Sequence, residues 1–120
     1  MPSRRLEHRI RDMVAEIAVV EETVEGLDFE SFARNRQALR AVLYSLAVVG
    51  EVVASAIDDL VAADSTLPWH QIRNMRNVVI HEYFQVDLEI VWQTTQLDLP
   101  DLKAALKKIL DDLETEESDK

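Results

Sequence analysis

The fold is decided by the most apolar run of the sequence, AVLYSLAVVGEVVASAI at residues 41–57. The run is shorter than the roughly 20 mostly apolar residues that a membrane span needs, and it includes Tyr44, Ser45 and Glu51. We therefore predict a buried helix of a cytoplasmic protein. The apolar stripe continues in both directions, which predicts one helix from about Phe29 to Ala63 with a length of about 50 Å.

A second amphipathic helix is predicted before this run. Its apolar residues recur at spacings of three and four: Leu6, Ile10, Met13, Val14, Ile17, Val20 and Val24. That spacing places them on one helical face, and Gly26 and Asp28 end the pattern. Two long antiparallel helices form a hairpin that the rest of the chain must cover.

The second half of the chain predicts shorter helices. Pro68 suits a first helical turn, which predicts a helix over residues 69–84. Asp87 is expected to cap a short fourth helix. After a break at residues 97–99, Pro100 opens the last helix. The sequence therefore predicts an all-α bundle of four to five helices.

Composition and charge limit the classes of function. The chain has 120 residues and no cysteine, which excludes disulfides, thiolate metal sites and cysteine nucleophiles. Its net charge of −10 argues against a non-specific nucleic-acid coat. Acidic residues concentrate at the end, so we expect a single domain over residues 1–113 and a frayed acidic tail over residues 114–120. Residues 1–40 are nearly neutral and leave room for a local cationic site.

The segment WHQIRNMRNVVIHEYF at residues 69–84 contains the side chains best suited to chemistry. They form two neighbouring rows of the helix: Arg73, Asn77 and His81 in one, and Arg76, Ile80 and Tyr83 in the other. Arg76 and His81 are five residues apart, which separates them by about 140° around a regular helix. Either the arginine wraps round, or the helix loosens near His81, or two copies of the chain build one site together.

This set of residues is compatible with RNA cleavage. Histidine exchanges protons near neutral pH, and arginine stabilises charge on phosphoryl oxygens. Together they suit attack by an RNA 2′-hydroxyl without a metal ion. His8, His70 and His81 follow no metal-ligand pattern, so we expect neither a metal nor a cofactor. In the alternative interpretation, Arg73 and Arg76 pair with nearby acids and His81 caps the helix end.

Further polar residues of the second helix each have two interpretations. Glu51 is either a rim glutamate paired with an arginine or a residue that positions an active-site arginine. Gly50 costs about 1 kcal/mol against alanine inside a helix, so it marks a close helix crossing or an opening for a functional group. Arg34, Arg36 and Arg40 either line an RNA groove or pair with acids.

The segment RNVVIHEY at residues 76–83 resembles the Arg-x4-His-x-Tyr signature of the HepT-like branch of the HEPN superfamily. Flanking landmarks match the same branch: Val49-Gly50-Glu51, Pro68-Trp69, Met75-Arg76-Asn77 and Leu99-Pro100. Val52 stands where the family has alanine, and Asn74 stands where it often has glycine. The second difference bears on local packing more than on activity.

The resemblance implies a homodimeric helical bundle in which two motifs meet in one cleft, and a metal-independent endoribonuclease activity. By similarity, Arg76 would stabilise the phosphate and His81 would be the acid and base. Asn77 would support them. Beside the resemblance, we also expect Arg73, Glu51 and Tyr83 to have supporting roles.

The resemblance also implies partners. HepT-like proteins are commonly toxins of type VII (HEPN/MNT) toxin–antitoxin pairs, neutralised by a nucleotidyltransferase antitoxin. Tyr83 matches the motif tyrosine that such an antitoxin can modify with AMP, and this bulky anion would keep RNA out. The substrate would be an RNA such as tRNA or mRNA, encountered in the cytoplasm and away from membranes.

Two other hypotheses compete with a ribonuclease. One is a non-catalytic helical HEPN module that binds a nucleotide or a nucleotidyltransferase. The other is a purely structural bundle in which Arg76 pairs with Glu51, so that removing Arg76 would destabilise the fold markedly.

Overall fold

The computed structural model describes residues 2–118, with side chains from Arg4 to Glu116. These residues form seven α-helices and no strand: α1 Pro2–Val24, α2 Phe29–Arg34, α3 Arg36–Ser55, α4 Ile57–Ala63, α5 Trp69–His81, α6 Leu88–Gln93 and α7 Leu99–Ser118. A 3₁₀ turn at Tyr83–Gln85 precedes α6, and a π-helical turn at Thr94–Asp98 joins α6 to α7. The all-α class is confirmed, and the helices outnumber the four to five expected.

The prediction of one continuous helix from Phe29 to Ala63 was wrong, because the chain bends twice. Asn35 is extended (φ −101°, ψ 93°), and its side chain accepts a 3.0 Å hydrogen bond from the Ala38 N–H, which starts α3 as a new helix. Ala56 (φ −138°) separates α3 from α4. Phe32, before the first bend, and Leu60, after the second, are both fully buried. The apolar stripe therefore continues across both bends, and its pattern does not reveal them.

The helix predicted over residues 69–84 ends earlier, at His81. Glu82 leaves the helical region, and the N–H of Gln85 donates to its carbonyl oxygen at 2.8 Å, which tightens the chain into the 3₁₀ turn. The predicted cap of the next helix is confirmed. The Asp87 side chain accepts from the N–H groups of Glu89 (2.9 Å) and Ile90 (3.3 Å).

The predicted break at residues 97–99 was also wrong, because the chain is helical through it. The N–H of Leu99 donates to the carbonyl oxygen of Thr94 in the π-helical turn. In an ordinary helix the ring of Pro100 would clash with the carbonyl four residues before it, and the wider π turn places an extra residue there. Helix α7 then continues to Ser118, into the segment expected to be a frayed tail, and residues 119–120 lie outside the described residues.

Helix α3 is the centre of the bundle, with α1 and α5 packed on it. Its length and composition are those of a helix able to cross a membrane, which is weak evidence because core helices share them. Val42, Val49 and Val53 are at most 1% exposed, so its apolar face is buried within the bundle. Helix α7 runs antiparallel along α1, as the pairs Arg11–Glu114 and Glu21–Lys103 show. Helix α5 packs mainly on α3, and most of its side chains are exposed.

Candidate active site

Helix α5 is fixed at its first residue and at its crossing with α3. The Trp69 ring is 1% exposed, and its Nε1–H donates to the Asp64 carbonyl oxygen at 2.7 Å. A Cβ atom at Gly50 would lie 2.9 Å from the backbone nitrogen of Arg76 and 3.0 Å from the carbonyl oxygen of Arg73. Gly50 therefore marks a close helix crossing, and that crossing places the backbone of Arg76 directly on α3.

Arg76 is held by Glu51 of α3. Its Nε lies 2.8 Å from Glu51 Oε2, and the two side chains are 49% and 60% exposed. Glu51 is thus a rim glutamate paired with an arginine. Because the pair is open to water, it contributes no more than about 1 kcal/mol to stability. Since Glu51 takes the Nε side of the guanidinium, the Nη groups remain available for a planar, two-pronged contact with a phosphate.

A second contact joins α3 to the 3₁₀ turn that follows α5. Arg40 Nε of α3 donates to the Tyr83 hydroxyl at 3.3 Å. The Tyr83 ring is half-buried and meets the fully exposed Phe84 edge to face, with centroids 5.2 Å apart. The sequence analysis expected Arg40 either to line an RNA groove or to pair with an acid, and it did not predict the contact with Tyr83. The available signal is spacing, since Arg40 and Glu51 are eleven residues apart and share one face of α3.

The remaining motif residues lie on the adjoining exposed face. His81 is the last residue of α5 and is exposed, as is Arg73. Asn77 Nδ2 donates to Asn74 Oδ1 at 3.2 Å. Because α5 is regular as far as His81, the separation of about 140° from Arg76 holds within one chain. One protomer therefore brings Arg76 to Glu51 and Tyr83 to Arg40, and leaves His81 facing elsewhere.

Two apolar cavities of about 370 and 380 Å³ lie on another side of α5, against α6 and α7. They share Gln71, Met75 and Thr94, and neither is lined by Arg76 or His81. Within the described part of the chain, no three histidines or acids are grouped so that they could hold a metal ion. The reactive side chains thus lie on an open surface along α5.

An all-α bundle that displays Arg-x4-His-x-Tyr on an exposed helix, docked on a Gly-Glu pair, is a HEPN-type protein. The family model described as Ribonuclease HepT-like matches residues 13–109. The chain belongs to this HepT-like family, as the resemblance of its motif implied.

Relatives of similar length support this assignment. A protein named as an RNase from Caldanaerobacter subterraneus is 35% identical over 91% of this chain and 94% of its own length. Another protein named as an RNase, from Methanocaldococcus jannaschii, is 31% identical over 95% of this chain and 98% of its own. A protein from Thermococcus cleftensis, named as a ribonuclease HepT, is 30% identical over 83% of this chain and 91% of its own. No solved structure matches the chain significantly.

Proposed function

We propose that this protein is an endoribonuclease that cleaves RNA by attack of a 2′-hydroxyl, without a metal ion. The observation that carries the proposal is the position of Arg76 in a chain of the HepT-like family. Arg76 lies on the same exposed helix as His81, and its Nε is held 2.8 Å from Glu51 of α3. The geometry leaves one guanidinium edge to bind a phosphate.

The chemistry needs one base, one acid and one cation. The His81 imidazole takes the proton of the 2′-hydroxyl, whose oxygen then attacks the neighbouring phosphorus. Arg76 stabilises the negative charge that grows on the phosphoryl oxygens. The bond to the 5′-oxygen breaks, this oxygen leaves with a proton from an imidazolium, and the products are a 2′,3′-cyclic phosphate and a 5′-hydroxyl end. Asn77 and Arg73, on the row of His81, contact the substrate backbone.

A homodimer would assemble the complete site. Trp69 is the only buried residue of α5, so a long helical surface is free to meet a second copy. Pairing of two α5 helices would bring Arg76 of one copy toward His81 of the other. This arrangement removes the difficulty of the 140° separation without any distortion of the helix.

The biological role that fits best is the toxin of a type VII toxin–antitoxin pair acting in the cytoplasm on tRNA or mRNA. The Tyr83 hydroxyl lies beside the exposed Arg40 and within reach of solvent. A nucleotidyltransferase antitoxin that attaches AMP there would add charge and volume next to the cleft and exclude RNA.

A cleavage assay in EDTA tests the proposal with total RNA and purified tRNA as substrates. We expect cleavage by the wild type and its loss in His81→Ala and Arg76→Ala. His70→Ala is the matched control, because His70 is an exposed histidine on the same helix outside the motif. All four proteins are first compared by circular dichroism and by intact mass, which shows whether Tyr83 carries AMP.

Two outcomes would contradict parts of the proposal. Normal cleavage by His81→Ala would remove the histidine from the chemistry. Absence of cleavage by folded, unmodified wild type would favour the second candidate, a non-catalytic module that binds a nucleotide or a nucleotidyltransferase. The net charge of −10 is the observation that favours this second candidate, since it opposes RNA binding over most of the surface.

A further inference from the structure

One stripe of α3 contacts the motif segment at both of its ends: Glu51 contacts α5, and Arg40 contacts the 3₁₀ turn that follows α5. Arg40, Tyr44, Ala47 and Glu51 follow one another at spacings of four, three and four, so they share one face of the helix. Arg40 contacts the Tyr83 hydroxyl, and Glu51 contacts Arg76. Over the eleven residues between these contacts, the stripe runs along the edge of α5 for about 16 Å.

Apolar surface is left open between the two polar contacts. Tyr44 is 70% exposed on α3, and Ile80 is 55% exposed on α5 between Arg76 and Tyr83. Tyr44 has no part in the chemistry proposed above. An aromatic ring this exposed, placed between two arginines, is the arrangement with which proteins bind single-stranded nucleic acid.

Arg40 and Arg76 are held in the same way, each by a contact at its Nε. Each is bound through Nε by a protein group, Arg40 by a hydroxyl and Arg76 by a carboxylate, so both guanidinium groups keep their Nη atoms for another partner. A phosphate at each end would match these charges. The axis of α3 rises about 16 Å between Arg40 and Glu51, which leaves room for a base beside Tyr44.

We infer that this stripe binds single-stranded RNA next to the cleavage position, with Tyr44 stacked on a base and Arg40 bound to a backbone phosphate. The inference rests on the proposed ribonuclease function, and it adds a preference for an unpaired strand of several nucleotides.

The test compares two RNA lengths. Cleavage kinetics are measured with a single-stranded hexanucleotide and with a dinucleotide that fills only the cleavage position, for wild type, Tyr44→Ala, Tyr44→Phe and Arg40→Gln. Binding is measured with a 2′-O-methyl hexanucleotide, which cannot undergo 2′-hydroxyl attack. Leu97→Ala and Lys108→Gln are matched controls that remove an exposed apolar side chain and a positive charge elsewhere.

For the hexanucleotide, we expect Tyr44→Ala to raise KM and Kd by about tenfold, as loss of one base–aromatic stack does. Tyr44→Phe should keep the wild-type values, and the dinucleotide should be cleaved equally by all Tyr44 variants. Arg40→Gln should weaken binding and reduce the slope of log Kd against log salt by about one.

Each outcome separates this inference from the ribonuclease proposal. If wild type cleaves RNA and Tyr44→Ala behaves like Leu97→Ala, the inference that the stripe binds RNA is wrong and the ribonuclease proposal is retained. If wild type cleaves no RNA but binds the methylated hexanucleotide, and Tyr44→Ala loses this binding, the RNA-binding inference is supported and the ribonuclease proposal is wrong. If Tyr44→Ala halves the mass in light scattering and impairs both substrates alike, the stripe is a contact between copies, which overturns the inference.

Discussion

At the scale of single residues, Gly50 decides where the motif helix lies. In an ordinary helix interior, Gly→Ala stabilises by about 1 kcal/mol. Here the new Cβ would meet backbone atoms of Arg76 and Arg73 at 2.9 and 3.0 Å, and backbone cannot move aside as a flexible side chain can. We expect Gly50→Ala to lower the free energy of unfolding by about 1–3 kcal/mol, measured by urea denaturation. A more stable variant would show that the crossing is loose.

The Arg76–Glu51 pair separates a structural role from a functional one. Because both side chains are about half exposed, Arg76→Ala should cost no more than about 1 kcal/mol of stability while abolishing cleavage. Glu51→Gln, which keeps a hydrogen-bond acceptor, should lower kcat with little change in KM, and Glu51→Ala should lower it further. Thermal unfolding followed by circular dichroism is the measurement for stability. A marked fall in melting temperature for Arg76→Ala would support the purely structural bundle.

Individual side chains also show how far sequence reasoning reaches. It expected an arginine beside Glu51, because a glutamate in an apolar run needs a partner, and it named Arg76 as that partner in one of its competing hypotheses. It left Arg40 undecided, since nothing in the spacing tells an observer which side of α5 will face α3. Gly50 marks where α5 comes closest to α3, since a Cβ there would meet backbone atoms of Arg76 and Arg73.

At the scale of elements, periodicity predicted most helices and failed where they end. Asn35 carries a capping signal, but the apolar stripe passes it on both sides. Ala56 carries none, because alanine favours helix. The π turn before Pro100 has no sequence signal other than the proline. The proline predicted a break in the helix, and the chain instead forms a wider helical turn there.

The N-caps of α2 and α3 should respond differently to acid, because Asp28 titrates and Asn35 does not. The Ser31 hydroxyl and N–H both donate to the Asp28 carboxylate, and these hydrogen bonds lower its pKa below the usual 3.8. Because the folded pKa is lowered, the stabilisation by Asp28 is complete above about pH 4 and is lost as the pH falls through the folded value. Asp28→Ala should therefore be less stable than wild type at pH 7 and approach it in acid.

Asn35 is the matched control for this pH dependence. Its amide caps α3 through Ala38 and does not titrate, so Asn35→Ala should cost about 1 kcal/mol at every pH. Urea unfolding of both variants from pH 7 to pH 3 makes the comparison. A constant difference for Asp28→Ala would mean that its carboxylate does not depend on the Ser31 hydrogen bonds.

At the scale of the whole molecule, charge and exposure are distributed unevenly. The chain carries a net charge of −10, yet Arg40 and Arg76 both lie along the α3–α5 edge, and most residues of α5 are exposed. A cationic edge on an acidic chain would, under the proposed function, draw an RNA strand to that edge while the rest of the surface disfavours bulk binding. The same exposed helix is where a second copy would pair.

Mixing two inactive variants tests whether the site is shared between copies. Arg76→Ala keeps His81, and His81→Ala keeps Arg76, so a dimer of the two has one intact pair only if the pair forms across the interface. Because the helix separates Arg76 and His81 by about 140° within one chain, we expect such mixtures to recover up to about half of the wild-type activity per mixed dimer. The variants are unfolded and refolded together, and dimer mass is followed by light scattering. Mixed dimers without cleavage would place Arg76 and His81 of the same chain on one phosphate, and the arginine would then have to leave Glu51 and wrap around α5.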